Sequence, residues 1–333
     1  MILYLLRRLA VTAAILLVIC AATFAIFYLM PADPAQGACG KACSPERITE
    51  IRTTLGLNHS PLSQFGDYLT GIVSGRTYGT GEHAVNCPFP CLGFSFQTNQ
   101  PVWQMLTSRL PASFSIAVGA AVLWLAVGVA AGVVSALRCG SLWDRAAMTA
   151  ALGGVSLPIY FTALVLQYLL VVQLDLLPYP QVEPLTTDPV GWAQSMVMPW
   201  ITLAMLYAGI YARVTRGEML ESLGQNYVRT ARAKGLPEIT VVRRHALRPA
   251  LMPIVTIFGM DLGALLGGAL ITESVFGLPG VGKLAADAIS SADQPVILGV
   301  TLFAASFVVL ANLLVDLVYA VLDPRVRAVG CPC

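Results

Sequence analysis

The chain has 333 residues, 56% hydrophobic and 11% charged, with 20 Lys and Arg against 18 Asp and Glu and a formal net charge of +2. So little charge cannot cover the surface of a water-soluble domain of this length, which leaves the lipid bilayer as the solvent for most of the chain. The small net charge says little by itself, whereas its distribution is informative, and no nucleic-acid partner is expected.

Six apolar stretches follow one another, at roughly 9–30, 112–136, 147–173, 197–214, 250–274 and 296–321. A hydrocarbon core of ~30 Å takes about 20 helical residues to cross. A backbone in lipid must satisfy its own hydrogen bonds, so each stretch is expected to be a helix. The first is too long for a cleaved leader and runs into Pro31-Ala-Asp-Pro34 instead of a small-residue cleavage site. With the N-terminus inside, fourteen Lys and Arg fall in inner segments, among them Arg7, Arg8, Arg138, Arg145, Arg325 and Arg327. Six fall outside: Lys41, Arg47, Arg52, Arg76, Arg109 and Lys283. That bias places both termini in the cytoplasm.

Residues 31–108, between the first two stretches, form the only part large enough for a small outer subdomain. It has a Pro-rich entry, a polar stretch with helical potential from Ser44 to Thr54, and Gly, Pro and Asn turns over 75–100. Cys39, Cys43, Cys87 and Cys91 all lie in it, where oxidation is permitted, and are disulfide candidates. Four cysteines allow three pairings, and the sequence does not choose among them. Links between the two Cys-x3-Cys pairs close loops of over forty residues, worth ~4 kcal/mol each in the chain-entropy model. A zinc site is the alternative use of two such pairs, but no metal is expected in an oxidising compartment. Cys20 lies within the first stretch, and Cys139, Cys331 and Cys333 lie inside.

The long inner loop, 213–249, reads as helix, turn, helix. Leu220, Leu223, Tyr227 and Ala231 recur at spacings of three and four and make one apolar stripe, with Arg229 and Arg232 away from it. Gly235 is placed to end the helix in left-handed backbone angles. Pro237 suits the first turn of the next helix, and Glu238 suits its positive end. The chain contains no Gly-x4-Gly-Lys-Ser/Thr phosphate loop, so any ATP-driven step belongs to a partner.

Within the apolar stretches, Gly128 and Gly132 on the second predict close helix packing inside this chain. Gly259, Gly263 and Gly267 on the fifth suit either such packing or contact with a second copy of the architecture. Pro158 and Gln167 mark a kink and packing on the third. A carboxylate in the membrane needs a partner or water. Asp261 faces away from the glycine stripe, Asp316 lies nearer the inner end, and Glu273 lies at the outer mouth, where it is expected to be solvated. Asp261 suits either a translocation path or a polar partner on a neighbouring helix.

Three segments carry a family resemblance. The first is Tyr227-Val-Arg-Thr-Ala-Arg-Ala-Lys-Gly235-Leu-Pro-Glu238, running on to Arg243-Arg-His-Ala-Leu-Arg-Pro249. The second is Val275-Phe-Gly-Leu-Pro-Gly-Val-Gly282, and the third is Asn312-Leu-Leu-Val-Asp316 through Asp323-Pro-Arg-Val-Arg327. With Leu57-Asn-His-Ser-Pro-Leu and Arg109-Leu-Pro111, they make the chain resemble ABC importer permeases of the dipeptide, oligopeptide and nickel branch. Where the broad family writes Glu-Ala-Ala in the inner loop, this chain has Arg229-Thr230-Ala231. Tyr78 to Cys91 reads as an insertion.

The resemblance implies an all-α membrane protein of six transmembrane helices, with an extracytoplasmic insertion between helices one and two and a cytoplasmic coupling helix between helices four and five. The expected division is 1–30 as the first helix, 31–108 as the extracytoplasmic region, and 109–333 as the five-helix core with the coupling loop 213–249. It implies a multi-pass protein of the bacterial inner membrane that is not an enzyme and holds no cofactor. ATP and Mg are bound by two partner ATPase subunits, and the other partners are a homologous second permease, an extracytoplasmic substrate-binding protein, a peptide substrate and membrane lipid. The coupling residues are Arg229, Thr230, Ala231, Arg232, Ala233, Lys234, Gly235, Leu236, Pro237 and Glu238, and the translocation-path residues are Asp261 and Glu273. The alternative is a secondary transporter or channel driven by an ion gradient through Asp261 and Asp316. That reading leaves the inner helix-turn-helix without a purpose.

Overall fold

The computed structural model describes residues 2–29, 35, 44–54, 60–79, 84–181 and 185–322. In chain order the helices are α1 (Ile2–Leu29), α2 (Pro45–Thr54) and α3 (Pro61–Ser74). Strands β1 (Arg76–Tyr78), β2 (Val85–Cys87), β3 (Phe94–Ser95) and β4 (Gln100–Pro101) follow as two antiparallel pairs. Then come α4 (Val102–Leu137), α5 (Leu142–Ser156), α6 (Ile159–Gln167), α7 (Pro189–Gly224), α8 (Asn226–Ala233) and α9 (Glu238–Thr240). The last four are α10 (Leu247–Leu266), α11 (Leu270–Val275), α12 (Val281–Ser291) and α13 (Gln294–Leu322). The all-helical expectation therefore holds apart from two short hairpins between α3 and α4.

Among the described residues four helices are long and apolar enough to cross a membrane: α4, α7, the run Glu238–Leu266 and Gln294–Val315 within α13. The helix α1 carries a shorter apolar run, Ala10–Ile26. The third apolar stretch is not one straight rod, because α5 and α6 meet at a bend of 99°. Pro158 causes the break. It lacks an N–H and disfavours helical angles in the residue before it, and Leu157 accordingly sits at ψ 132°. Of the six stretches expected from hydropathy, four are thus full-length helices, the third is a bent pair broken at the kink expected at Pro158, and the first lies in the 28-residue α1. Gly267 also lies beyond the end of α10, so the glycine stripe of the fifth stretch has two helical members, not three.

The chain forms two compact units. The first comprises the described residues within 2–113, 266–270 and 279–313. Its main core joins Val102, Met105 and Leu106 of α4 to Leu284 and Ala288 of α12 and to Val296, Val300 and Phe303 of α13. Buried Asp293 accepts a 2.5 Å hydrogen bond from Ser95, which ties the second hairpin to the start of α13. Cys87 and Cys91 are joined in a disulfide and packed with Tyr78 and Phe94. Two of the four candidate cysteines are thus oxidised as expected, but to each other within one Cys-x3-Cys pair, so the link closes a short loop instead of one of over forty residues. Cys39 and Cys43 lie outside the described residues, as do Cys331 and Cys333.

The second unit comprises the described residues within 114–265, 271–278 and 314–322. Here α7 is the hub. A Cβ on Gly128 would lie 2.9 Å from the Ala208 carbonyl oxygen, and one on Gly132 would lie 2.6 Å from that of Ala212. Only glycine permits so close an approach of α4 to α7, so this pair serves packing within the chain, as the sequence predicts. Asp144 of α5 accepts from Arg216 Nε at 2.7 Å, from the Gly140 N–H at 2.8 Å and from the Ser135 hydroxyl. That network fastens α4, α5 and α7 together where their hydrophobic stretches stop.

Candidate functional site

The inner loop is built on α7. Gln225 adopts extended angles (φ −72°, ψ 149°), ends α7 and opens α8. The stripe read from Leu220 to Ala231 is therefore broken, because the two helices do not share one axis across Gln225. The buried face of α8 is Val228 and Ala231, packed on Val241 with Leu223 beside them. Tyr227, expected in the stripe, is 44% exposed. Val228 takes its place, and its spacing of three from Ala231 is the signal that identifies it. Beyond the turn, Val242, Ala246 and Ala250 pack with Met219 of α7 and Ala136 of α4. The loop is thus held from both ends by apolar contacts.

Gly235 makes the turn. Its φ is +78°, the left-handed region expected for it, and its N–H donates to the Arg232 carbonyl at 2.9 Å. The Leu236 N–H reaches back to the Ala231 carbonyl at 3.4 Å, and Pro237 caps the helix that begins at Glu238. Arg232 donates to Glu238 twice, Nη2 to Oε1 at 2.6 Å and Nε to Oε2 at 3.2 Å, closing the turn with a two-point ion pair. Of the ten residues from Arg229 to Glu238 only Ala231 is buried; the other nine are exposed. Sequence reasoning missed Ile239, which is 66% exposed directly after them. Tyr227, Leu236 and Ile239 together give this polar loop an exposed apolar component.

Asp261 of α10 is half-buried, and its Oδ2 accepts a 2.8 Å hydrogen bond from the hydroxyl of Tyr211 on α7. Tyr211 and Tyr207 stand beside buried Trp124 of α4, with ring centroids 6.1 and 4.7 Å away, and Phe258 closes the aromatic cluster at 6.3 Å. The sequence offered only a polar partner on a neighbouring helix as one of two uses for Asp261, and Tyr211 of α7 is such a group. Glu273, expected to be solvated, is fully buried within α11. The backbone of Asp316 lies in α13, and its side chain lies outside what the structure describes.

Comparison with known proteins agrees with this architecture. The model of the family "Binding-protein-dependent transport system inner membrane component" matches residues 128–328. The model of that system's membrane component N-terminal region matches residues 1–117. The dipeptide transport system permease protein DppB of Escherichia coli (strain K12) is 35% identical over 348 residues, covering 97% of this chain and 98% of that protein. A Brucella abortus (strain 2308) protein, whose name assigns it to a peptide transport system as a permease, is 37% identical over 322 residues, with 97% and 98% covered. Among solved structures, a chain of the methionine ABC transporter MetNI in an inward-facing conformation aligns with a TM-score of 0.51 at 16% identity. It covers 66% of this chain and 97% of that one, a likeness of fold alone. The chain belongs to the family of binding-protein-dependent transport system inner membrane components: it is the membrane permease of an ABC importer, and not itself an enzyme.

Proposed function

We propose that this permease forms half of the translocation path of an ATP-driven importer of di- or oligopeptides. The substrate class rests on the relatives, whose names assign them to peptide or dipeptide transport. The other half of the path is a homologous second permease. Two cytoplasmic ATPase subunits bind ATP and Mg, and an extracytoplasmic binding protein delivers the peptide. The chain crosses the inner membrane six times, the bent pair α5–α6 counting as one crossing, with both termini in the cytoplasm. Residues 31–108 face outward and 213–249 inward.

The observation that carries the coupling role is the inner loop. Its base is packed into the unit, its turn is set by one left-handed glycine and one ion pair, and its outer face carries Tyr227, Leu236 and Ile239. A rigid, partly apolar knob attached to α7 on one side and α10 on the other is the form needed to move spans as levers when ATPases close. We assign to Asp261, one oxygen of which accepts from Tyr211, the role of meeting the ammonium group of a peptide. The test is uptake of a labelled dipeptide into vesicles bearing the four membrane and ATPase subunits, with binding protein and ATP. Uptake that requires both ATP and binding protein, and is competed by peptides, supports the proposal. Uptake driven by an ion gradient without ATP contradicts it.

A further inference from the structure

The helix α3 lies in the outer region, yet it does not stand off the spans. Its Phe65 ring is 5.5 Å from that of Phe24 on α1, and Tyr68, Leu69 and Ile72 pack with Cys20 of α1 and Leu302 of α13. Both contacts lie well inside apolar helices. Phe24 is five residues before the end of α1 and Leu302 eight residues after the start of α13, or about 8 and 12 Å along at 1.5 Å per residue. Two spans thus hold α3 below the outer ends of both.

The rest of α3 is divided to match. Leu62 and Val73 are 83% and 73% exposed. They are eleven residues apart and so about 20° apart around the helix, on an edge roughly 80° from the one that packs on α1 and α13. Ser63, Asp67, Thr70 and Ser74 share a third side, roughly another 100° on. On that side the Thr70 and Ser74 hydroxyls donate to the Gly66 and Thr70 carbonyls at 3.0 and 2.8 Å, which lowers their need for water. One edge meets protein, one is apolar and uncovered, and one is polar, an arrangement that suits a helix lying at the bilayer surface.

We propose that α3 is an interfacial helix whose Leu62–Val73 edge is seated among the acyl chains of outer-leaflet phospholipid. A soluble partner approaching from outside meets the Ser63–Asp67–Thr70 side instead, and the depth fixed by Phe24 and Leu302 leaves lipid as the occupant of the other edge. Seated there, α3 braces the outer halves of α1 and α13 against the membrane surface.

This rests on α1 and α13 being membrane spans, so the experiment reads both. A diazirine-bearing amino acid is placed singly at Leu62, Val73, Asp67 and, in the middle of α1, Val18. The assembled transporter, in vesicles of phosphatidylethanolamine and phosphatidylglycerol, is then illuminated and the mass of this chain measured. The carbene inserts into whatever covers it. The expected result is a mass increase of one phospholipid at positions 62 and 73 and water insertion at 67. Water insertion at 62 and 73, or a cross-link from both to another protein chain, overturns the proposal. If Val18 gives lipid in that case, the interfacial helix alone fails. Water at Val18 as well sinks the reading of α1 as a span.

Discussion

Replacing Gly235 separates backbone geometry from contact, because nothing lies within 4 Å of where its Cβ would be. Gly235→Ala therefore has no steric term, and its whole effect comes from holding an L-residue at φ +78°, a cost of roughly 1–2 kcal/mol. That corresponds to a factor of about 5–30 in the population of the correctly turned loop. Gly235→Asn is expected to lose less, since Asn tolerates this region better than Ala. Gly235→Pro fixes φ near −65° and deletes the N–H that donates to the Arg232 carbonyl, so the turn cannot form. Peptide uptake and binding-protein-stimulated ATP hydrolysis, measured in vesicles with equal amounts of inserted permease, should fall in the order Gly, Asn, Ala, Pro. The ATPases should retain basal hydrolysis throughout. Wild-type uptake by Gly235→Pro, or Asn performing worse than Ala, would refute the assignment of the turn to coupling.

Gly132→Ala should destabilise the permease by about 1–3 kcal/mol through overpacking against α7. Gly217→Ala, exposed on α7 with open space around it, should be neutral or stabilising by up to about 1 kcal/mol, and thermal melts of the two variants make the comparison. Burial raises the Asp293 carboxyl above its ordinary range, opposed by hydrogen bonds from Ser95 and the Val296 N–H. The folded state then holds its proton more tightly than the unfolded state, and this group's contribution to stability declines as pH rises from about 4 through the raised value. Asp293→Asn should accordingly melt higher than wild type at neutral pH, with the gap closing below about pH 4. Thiol reagents applied to intact cells should modify neither Cys87 nor Cys91 until a reductant opens their disulfide, and labelling without reductant would contradict it.

Hydropathy identified where the apolar helices run, because burial in lipid is a property that composition reports residue by residue. It did not report direction. The 99° turn between α5 and α6 was marked by Pro158, but a kink and a reversal of course have the same local signature until neighbouring helices decide between them. Gly128 and Gly132 were legible because close helix approach admits no other side chain, and so was Gly235, because its turn demands positive φ. The break at Gln225 was not legible. No Pro or β-branched run announces it, and it is fixed by Val228 and Ala231 packing on Val241, a contact that exists only after folding. The same holds for Tyr211 beside Asp261, for the burial of Glu273 and for the depth of α3, each set by an element distant in sequence.

The central claim is that the loop from Tyr227 to Ile239 is where the ATPase meets this chain. A diazirine-bearing residue at Tyr227 or at Ile239, illuminated in the assembled transporter in vesicles, tests it most directly. The account predicts a covalent adduct between this chain and an ATPase subunit from both positions, lost when Gly235→Pro is introduced alongside. Insertion into lipid or water alone at both positions would contradict it.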